Sequence, residues 1–458
     1  MTQLGISNNG YLLNDEASLR QMAHDAVQYA RKMGFEEVRA SVAETAGLSV
    51  RVREGVPETA VRDGSRSLSV HIFNSGRLGT SSTSALTKAA IEDTVSHAIA
   101  IAKEVAADEG AGLADPSWLA RNGTEVELYA PSCLSAGDIL AAAEALEAAV
   151  SEVAGHLEPC VRVLAARASS HDSCVAQAIG RDFCRSRRAS HQARSCLVLA
   201  ERGGLMTRDH WASVERKTAN LLSAAEIGKQ AVSRAVRKLG ACTLKSQTAP
   251  VLFDSTVAAN LVQPLCNALM GSAQHQQATF LTQCLGKPVM AGHLDLVEDP
   301  FEPFGLASGA FDDEGVAGSR RAIVCGGIAE GYFLSTRWAR KLGMRSTGNA
   351  GGPWNLSLTS RRDSPGNLDG MLRELDRGLW VTELLGGQVD AVKGTYSMAA
   401  VGFWVDNGVA AFPVNDITIA GSLPEILLGI EAIGGDVYRN GGIRSGSVLV
   451  NSMQIAGR

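Results

Sequence analysis

The residue types that most often hold metal ions are concentrated in one stretch of this chain. That stretch contains two histidines and three cysteines, which are His171, Cys174, Cys184, His191 and Cys196. Zinc sites place their ligands at short characteristic spacings, such as two cysteines separated by two residues, and no such spacing occurs here. The surrounding residues alternate loosely between apolar and polar types, as strands do. The pattern therefore favours structural side chains on strand faces over a metal site.

Two further segments contain groups that could do chemistry. The glycine-rich run Gly348–Trp354 could hold an anion through backbone N–H groups, although a surface turn beside a groove is the simpler interpretation. Asp312, Asp313 and Glu314 form a run of carboxylates, but adjacent carboxylates on a loop are usually solvated or cap a turn. We therefore do not predict an acid/base pair. The chain has neither the G-x-S-x-G motif of serine hydrolases nor the G-x-x-x-x-G-K-[ST] phosphate loop.

Length, composition and charge are those of a globular protein. The 458 residues are enough for two or three domains, each with its own core. Apolar residues make up 45% and charged residues 20% of the chain, and the net charge is -5, so nothing argues for nucleic-acid binding. The Arg181–Arg188 stretch has four arginines but only one aromatic residue, Phe183, which favours a solvated strand or loop edge.

The sequence predicts a cytoplasmic location with reduced cysteines. The segment Met1–Asn14 lacks the basic region and apolar run of a secretion signal. No apolar run approaches the roughly 18 residues that a membrane span needs. The nine cysteines are odd in number and scattered, so buried thiols are expected rather than disulfides.

Hydrophobic periodicity predicts a mixed N-terminal half. Helical spacing covers residues 16–33, with Gly34 as the stop, and residues 85–107. A third helix is expected from a cap at Asp138 to about Val153, and a capping box at Ser223–Glu226 opens a fourth that Gly240 closes. Strand signals are alternating runs and one turn, namely Leu48–Val52, Leu68–Ile72, the turn Asn74–Gly76, and Val161–Leu199.

The segment Lys245–Pro250 has the composition of a linker, and we place the domain boundary there. The expected fold class is α+β, with a mixed α/β N-terminal domain over residues 1–242 and a glycine-rich, predominantly β C-terminal domain over residues 243–458. Two helices are predicted in the second half, one over about 256–271. The other starts at a capping box, Ser422–Glu425, and stops before Gly434.

A series of C-terminal segments resembles the TldD/PmbA family of peptide-processing metalloproteases, and an N-terminal strand-turn-strand opening extends the likeness over nearly the whole chain. The order and spacing of the segments carry the resemblance, and Ala400–Val405 brings it closer to the PmbA (TldE) branch. The main segments are Phe311–Val316, Ser346–Gly352, Thr382–Asp390, Gly402–Gly408 and Ile417–Gly421.

The resemblance implies that the catalytic zinc motif is missing. One member of the family's pair carries H-E-x-x-x-H on the helix that follows Val251. In this chain Gln263 and Ala268 stand at the histidine positions and Pro264 at the glutamate position. A later Cys-Gly pair, which supplies the third ligand, corresponds across a one-residue gap to a serine, Ser445. The expectation is that this chain has no catalytic residue, metal or cofactor of its own.

The resemblance also implies partners and a role. It implies a heterodimer with a TldD-like subunit that holds zinc and cuts unfolded peptides, while this chain completes the peptide channel. The resemblance does not decide whether the isolated chain forms a homodimer. No membrane or nucleic-acid partner is expected. Other hypotheses are a stand-alone peptide-binding or regulatory protein and an enzyme with a rebuilt site. The predicted peptide groove comprises Gly348, Asn349, Gly351, Gly352, Gly386 and Gly387.

Overall fold

The computed structural model describes residues 10–122, 124–132, 134–155, 157–181 and 183–457. The helices are α1 Glu16–Lys32, α2 Lys88–Glu104, α3 Ala136–Ala154, α4 Ala224–Arg237, α5 Ala259–Ala268, α6 Gly271–Gln276, α7 Thr336–Lys341, α8 Leu368–Leu375 and α9 Leu423–Leu428. The strands of the N-terminal half are β1 Val38–Arg53, β2 Val56–Asn74, β3 Arg77–Thr83, β4 Cys160–Ile179, β5 Phe183–Arg202 and β6 Leu205–Glu215.

Eleven further strands follow in the C-terminal half. They are β7 Gln247–Phe253, β8 Leu294–Asp299, β9 Arg321–Cys325, β10 Ile328–Ala329, β11 Asn355–Ser360, β12 Gly378–Asp390, β13 Thr395–Asp406, β14 Val409–Ser422, β15 Ile430–Ile433, β16 Ile443–Arg444 and β17 Val448–Ala456. Helices combine with extensive, mostly antiparallel sheets, and the predicted α+β class is confirmed. None of the helices in the described ranges is long and apolar enough to cross a membrane.

The first six strands form one antiparallel sheet in the order β3-β2-β1-β4-β5-β6. Side chains at alternate positions of a strand point to the same face. On one face, alternate residues such as Val42, Val70 and Cys174 are fully buried beneath α1 and α2. Helices α3 and α4 cover another part of the same face, where Cys196 and Val198 of β5 are buried. The opposite face of β4 and β5 is left for contact with the C-terminal half.

Local signals in this half produced the expected elements, with one difference at a cap. The turn predicted at Asn74–Gly76 joins β2 to β3, and Ser75 and Gly76 both have positive φ. The capping box at Ser223 forms as predicted. The N-cap of α3 is Ser135 rather than Asp138. Asp138 occupies the third helical position of a capping box, where its carboxylate accepts from the backbone of Ser135.

His71 on β2 makes stability depend on pH. Burial, together with the positive charge of Arg39, lowers the pKa of His71 to about 4. The unfolded chain therefore takes up a proton below about pH 6.5 that the folded chain refuses, and stability falls as pH drops from 6.5 towards 4. We expect a loss of about 2 kcal/mol over this range, because solvent screens part of the shift. Urea unfolding at several pH values should show this loss, and a His71→Gln variant should show less of it.

The matched control for this measurement is His97→Gln, since His97 is exposed on α2. Its stability should follow the natural chain across the same pH range. If His71→Gln retained the whole loss between pH 6.5 and 4, other groups would be responsible.

The C-terminal half is built on a closed ring of strands. Strand β7 pairs in parallel with β12 and antiparallel with β17, and β12, β13 and β14 follow as antiparallel neighbours. The pairing of β14 with β17 closes these five strands into a small barrel. A second sheet has the order β10-β9-β8-β11-β16. One hydrophobic core joins the barrel, helix α5 and this second sheet.

Two helix predictions in this half were wrong in extent. The helix predicted over 256–271 ends at Ala268, because Met270 has an extended backbone and pairs with Phe333. The helix predicted from Ser422 ends at Leu428, because the next residues form β15 on the edge of β17. The Ser422 side chain makes no capping bond, since Ser422 still pairs with Thr395 as the last residue of β14. Helices α6, α7 and α8 were not predicted.

Candidate functional site

Helix α5 places the three positions that the resemblance assigns to the zinc motif on different sides. Gln263 is exposed, and its amide nitrogen donates to Asn267 over 2.9 Å. Ala268 is 2% exposed and lies in the core. Residues five apart on a helix are rotated by about 500°, so their side chains point about 140° apart. Pro264 is buried inside the helix and supplies no carboxylate. These three side chains do not converge on one point.

The fourth position, Ser445, is close to α5 in the fold, since α5 contacts β16 immediately before it. Ser445 is buried and its hydroxyl donates to the carbonyl of Gly446 over 2.8 Å. It also forms an isolated β-bridge with Tyr438. The Tyr438 ring lies 5.1 Å from that of Trp211, and its hydroxyl donates to the carbonyl of Ala212 on β6. The segment therefore holds the two halves of the chain together.

The five histidines and cysteines of the 171–196 stretch lie on β4 and β5, where they are divided among several environments. His171 and His191 are paired across the two strands, and the nearest acid to His171 is Asp63 at 3.1 Å. Cys174 and Cys196 are buried in separate clusters beneath the helices, and burial raises the pKa of both thiols to about 12. Cys184 is exposed. Within the described ranges, no three His, Cys, Asp or Glu side chains are grouped closely enough to hold a metal.

The loop around Gly348–Gly352 is held by a buried carboxylate. Glu298 on β8 has no exposed surface, and it accepts from the Asn349 amide at 2.7 Å and the Trp354 backbone at 2.9 Å. Arg321 donates to the same carboxylate at 2.8 Å. Gly348 has φ +71°, and a Cβ there would lie 2.5 Å from the carbonyl oxygen of Ala317. The loop is thus rigidly positioned, and Asn349 is buried as part of its support.

The three adjacent carboxylates interact with separate groups of the protein. Asp312 accepts N–H groups from Ala350, Glu314 and Val316, so it caps the turn, but it is buried rather than solvated. Burial raises the pKa of Asp312 to about 7, against the opposing effect of these donors. Asp313 pairs with an arginine of β5, and Glu314 accepts from the backbone of Thr336. The three side chains thus have different partners.

A cavity of about 400 Å³ lies between the free face of β4 and β5 and the loops of the C-terminal half. We call it the Arg187–Arg216 cavity. Gly351 and Gly352 of the predicted groove line it, together with Asp312 and Asp313. Its other lining residues are Leu128, Ser173, Val175, Arg187, Ala189, Arg216, Leu306, Ala307, Ser308, Ala350, Pro353 and Trp354. Gly386 and Gly387 lie elsewhere, exposed on β12, and do not line this cavity.

Neither arginine of this cavity was predicted: Arg187 lies in the Arg181–Arg188 stretch that was interpreted as a solvated strand or loop edge, and Arg216 was not singled out. Arg181 is exposed, but Arg185, Arg187 and Arg188 are only partly exposed, and all three donate hydrogen bonds. Arg187 and Arg185 share the free face of β5, since they are two residues apart. The two-residue spacing could have shown that these arginines share a face of the strand. It could not show that the C-terminal half packs against that face.

A second cavity, of about 260 Å³, lies between α4 and the barrel. Lys238, whose side chain is 4% exposed, lies 2.8 Å from Asp209 and 2.6 Å from Glu383. Arg234 also pairs with Asp209 and donates to the carbonyl of Thr382 on β12. These charged groups pair with one another across the two halves of the chain. They therefore connect the halves and do not face the cavity as free charges.

Comparison with known proteins agrees with this architecture. The family description PmbA/TldA metallopeptidase C-terminal domain matches residues 246–457, and PmbA/TldA metallopeptidase domain 1 matches residues 38–102. Metalloprotease PmbA of Escherichia coli O157:H7 is 33% identical over 449 residues, which are 96% of this chain and 97% of that protein. The PmbA homologue of Haemophilus influenzae is 32% identical over 454 residues, covering 98% and 99%.

Solved structures show the same fold. A Bacteroides thetaiotaomicron protein named as a proposed modulator of DNA gyrase superposes with a TM-score of 0.87 at 25% identity, covering 98% of this chain and 100% of that one. TldE of Thermococcus kodakarensis gives a TM-score of 0.83 at 18% identity, covering 95% and 100%. The fold and its matching sequence are those of a metallopeptidase-type protein. The chain belongs to the PmbA/TldD family, in its PmbA (TldE) branch.

Proposed function

We propose that this chain is the non-catalytic subunit of a TldD/TldE-type zinc metalloprotease, where it contributes peptide channel and positions substrate. One observation carries the proposal. The four positions of the family's zinc site hold an exposed amide, a buried proline, a buried methyl group and a buried hydroxyl at Gln263, Pro264, Ala268 and Ser445. A hydrolytic zinc needs about three protein ligands and a nearby general base, and these groups supply neither.

The partner in this proposal is a TldD-like subunit with an intact H-E-x-x-x-H helix, and it supplies the zinc. The substrate is an unfolded peptide or peptide precursor. Within this chain, the rigid loop at Gly351 and Gly352 and the cavity beside it are suited to contact such a peptide. A stand-alone peptide-binding protein is the second candidate, because this cavity is complete within the single chain.

Co-expression with a TldD-like homologue from the same genome tests the proposal. Alone, the chain should contain less than about 0.1 zinc per molecule and should not cleave an unfolded peptide, because it lacks the ligands that hold the metal. The co-purified pair should contain zinc and cleave the peptide in a chelator-sensitive way. Elemental analysis and mass spectrometry of the digested peptide measure both.

Two controls sharpen the result. Replacing the motif glutamate of the partner by glutamine should abolish cleavage by the pair, which locates the chemistry in the partner. Chelator-sensitive cleavage by this chain alone, in a preparation free of host protease, would contradict the proposal. Failure of the two chains to associate, with no effect on the partner's cleavage, would favour the stand-alone alternative.

A further inference from the structure

Arg216 places a positive charge in the wall of the Arg187–Arg216 cavity without an acidic partner. The residue is 8% exposed. Its guanidinium donates to three backbone carbonyls, those of Ser190 at 3.1 Å, Gly305 at 2.9 Å and Leu306 at 2.8 Å. No carboxylate in the described part of the chain forms an ion pair with it. Carbonyl groups satisfy its hydrogen bonds, but they do not neutralise its charge, and an unneutralised buried charge is costly.

A second arginine adds to this charge. Arg187 lies close enough to lower the pKa of Arg216, with burial as the larger cause. One Arg187 nitrogen donates to the carbonyl of Phe311 at 3.0 Å, and another lies 3.3 Å from the carboxylate of Asp313. The Asp313 side chain is 58% exposed, so water weakens this ion pair. The carboxylate of Asp312 accepts three backbone N–H groups, and burial raises its pKa to about 7, so near neutral pH it carries less negative charge than an ordinary carboxylate. The two arginines therefore leave positive charge at this side of the cavity that an anionic ligand can pair with.

One part of the remaining wall is apolar, beside the polar residues Ser173, Ser308, Asp312 and Asp313. Leu128, Val175, Leu306 and Trp354 line the cavity, and Trp354 is 9% exposed. The volume of about 400 Å³ lies within the range of small-molecule sites. Two guanidinium groups beside apolar walls suit a ligand with a carboxylate at one end and an apolar body.

We propose that the Arg187–Arg216 cavity binds a carboxylate carried by a small apolar body, of which the C-terminal residue of a peptide is the natural example. Either guanidinium can donate N–H bonds to the carboxylate, and the apolar body lies against Trp354 and its neighbours. The proposal concerns this chain alone and does not rest on a protease partner, so binding and association with a partner fail or succeed independently.

Calorimetric titration of the full chain with three probes tests this proposal. The first probe is acetyl-Ala-Leu with a free carboxylate, the second is its C-terminal amide, and the third is acetyl-Ala-Glu amide, whose carboxylate is on the side chain. Because a hydrogen bond to a charged group is lost, the amide of the first probe should bind about tenfold or more weakly. If the third probe binds more weakly than the first, the cavity recognises a C-terminal carboxylate. If the two bind equally, the cavity recognises a carboxylate on a side chain as well.

Variants of two arginines of β5, Arg187 and Arg185, give a matched comparison. Arg187→Gln keeps a donor for the Phe311 carbonyl but removes the charge, and it should weaken the acid probe about tenfold without affecting the amide. Arg185→Gln is the control, since Arg185 lies on the same face but does not line the cavity. It should leave the affinity unchanged. Arg216→Gln should also weaken binding, but it removes three structural contacts, so the test depends on Arg187, with thermal unfolding compared for each variant.

Three results would overturn the proposal. The first is equal affinity for the acid and the amide. The second is an Arg187→Gln variant that binds the acid as well as the Arg185→Gln control. The third is displacement of the acid by inorganic phosphate at matching concentrations, which would show that the cavity takes any small anion and does not recognise a carboxylate on an apolar body.

Discussion

A chain with glutamate in place of Pro264 and histidine in place of Ala268 is expected to be destabilised by about 4 kcal/mol or more, rather than to gain a zinc site. Ala268 is buried, and its carbonyl accepts from the Gln274 amide at 2.7 Å and the Thr279 hydroxyl at 3.2 Å. An imidazole there must displace packed neighbours and bury polar nitrogens. Glutamate at the buried position 264 adds a carboxylate without a partner, and the N–H that it restores to the helix offsets only about 1 kcal/mol.

Adding Gln263→His and Ser445→Cys completes the ligand types without completing the site. The side chains at positions 263 and 268 point about 140° apart on a regular helix, so two imidazoles cannot face one metal unless α5 is distorted. Nothing orients the new ligands, and poorly oriented ligands hold metal weakly. We therefore expect weak zinc uptake at most and no peptide cleavage. Guanidinium unfolding and elemental analysis of the quadruple variant measure these two outcomes.

Gln263→His alone is the control, because Gln263 is exposed and bonds only to Asn267 within the helix. It should change stability by less than about 0.5 kcal/mol. If the quadruple variant folded as stably as this single variant and cleaved peptides without a partner, the scaffold would be an intact active site lacking only its ligands. The proposed supporting role would then be wrong.

Glu298→Ala is expected to cost about 3–5 kcal/mol of stability and to loosen the loop at residues 346–354. Its carboxylate is fully buried. It forms an ion pair with Arg321 and also accepts hydrogen bonds from Asn349 and Trp354. Alanine would leave the partly buried guanidinium of Arg321 without its acid and two N–H donors without an acceptor. Since the loop forms one wall of the Arg187–Arg216 cavity, binding there should weaken as well.

Chemical denaturation gives the stability change, and hydrogen exchange over residues 346–354 reports on the loop. Glu298→Gln should cost less than the alanine variant, because it keeps an acceptor oxygen of similar shape. Glu330→Ala, at an exposed position, should change stability by less than about 0.5 kcal/mol. Unchanged loop exchange in a folded Glu298→Ala variant would show that Glu298 does not hold this wall.

The sequence by itself determined the features that depend on nearby residues. The capping box at Ser223 and the turn at Ser75 and Gly76 were predicted because each depends on residue types within a few positions. The α+β class followed from helical and alternating spacing in consecutive segments. That Gln263 and Ala268 are not histidines is read directly from the sequence, and the family resemblance is what assigns these positions to the zinc motif.

The tertiary structure decided everything that depends on residues far apart in the chain. Met270 ends α5 because it pairs with Phe333, and Ser422 fails to cap α9 because it belongs to a strand pair with Thr395. The charge in the cavity has the same origin. Arg216 is buried where the carbonyls of Gly305 and Leu306 meet it from the other half of the chain. Local pattern assigns an arginine to a strand, but the packing of the two halves against each other decides whether it faces water or a cavity.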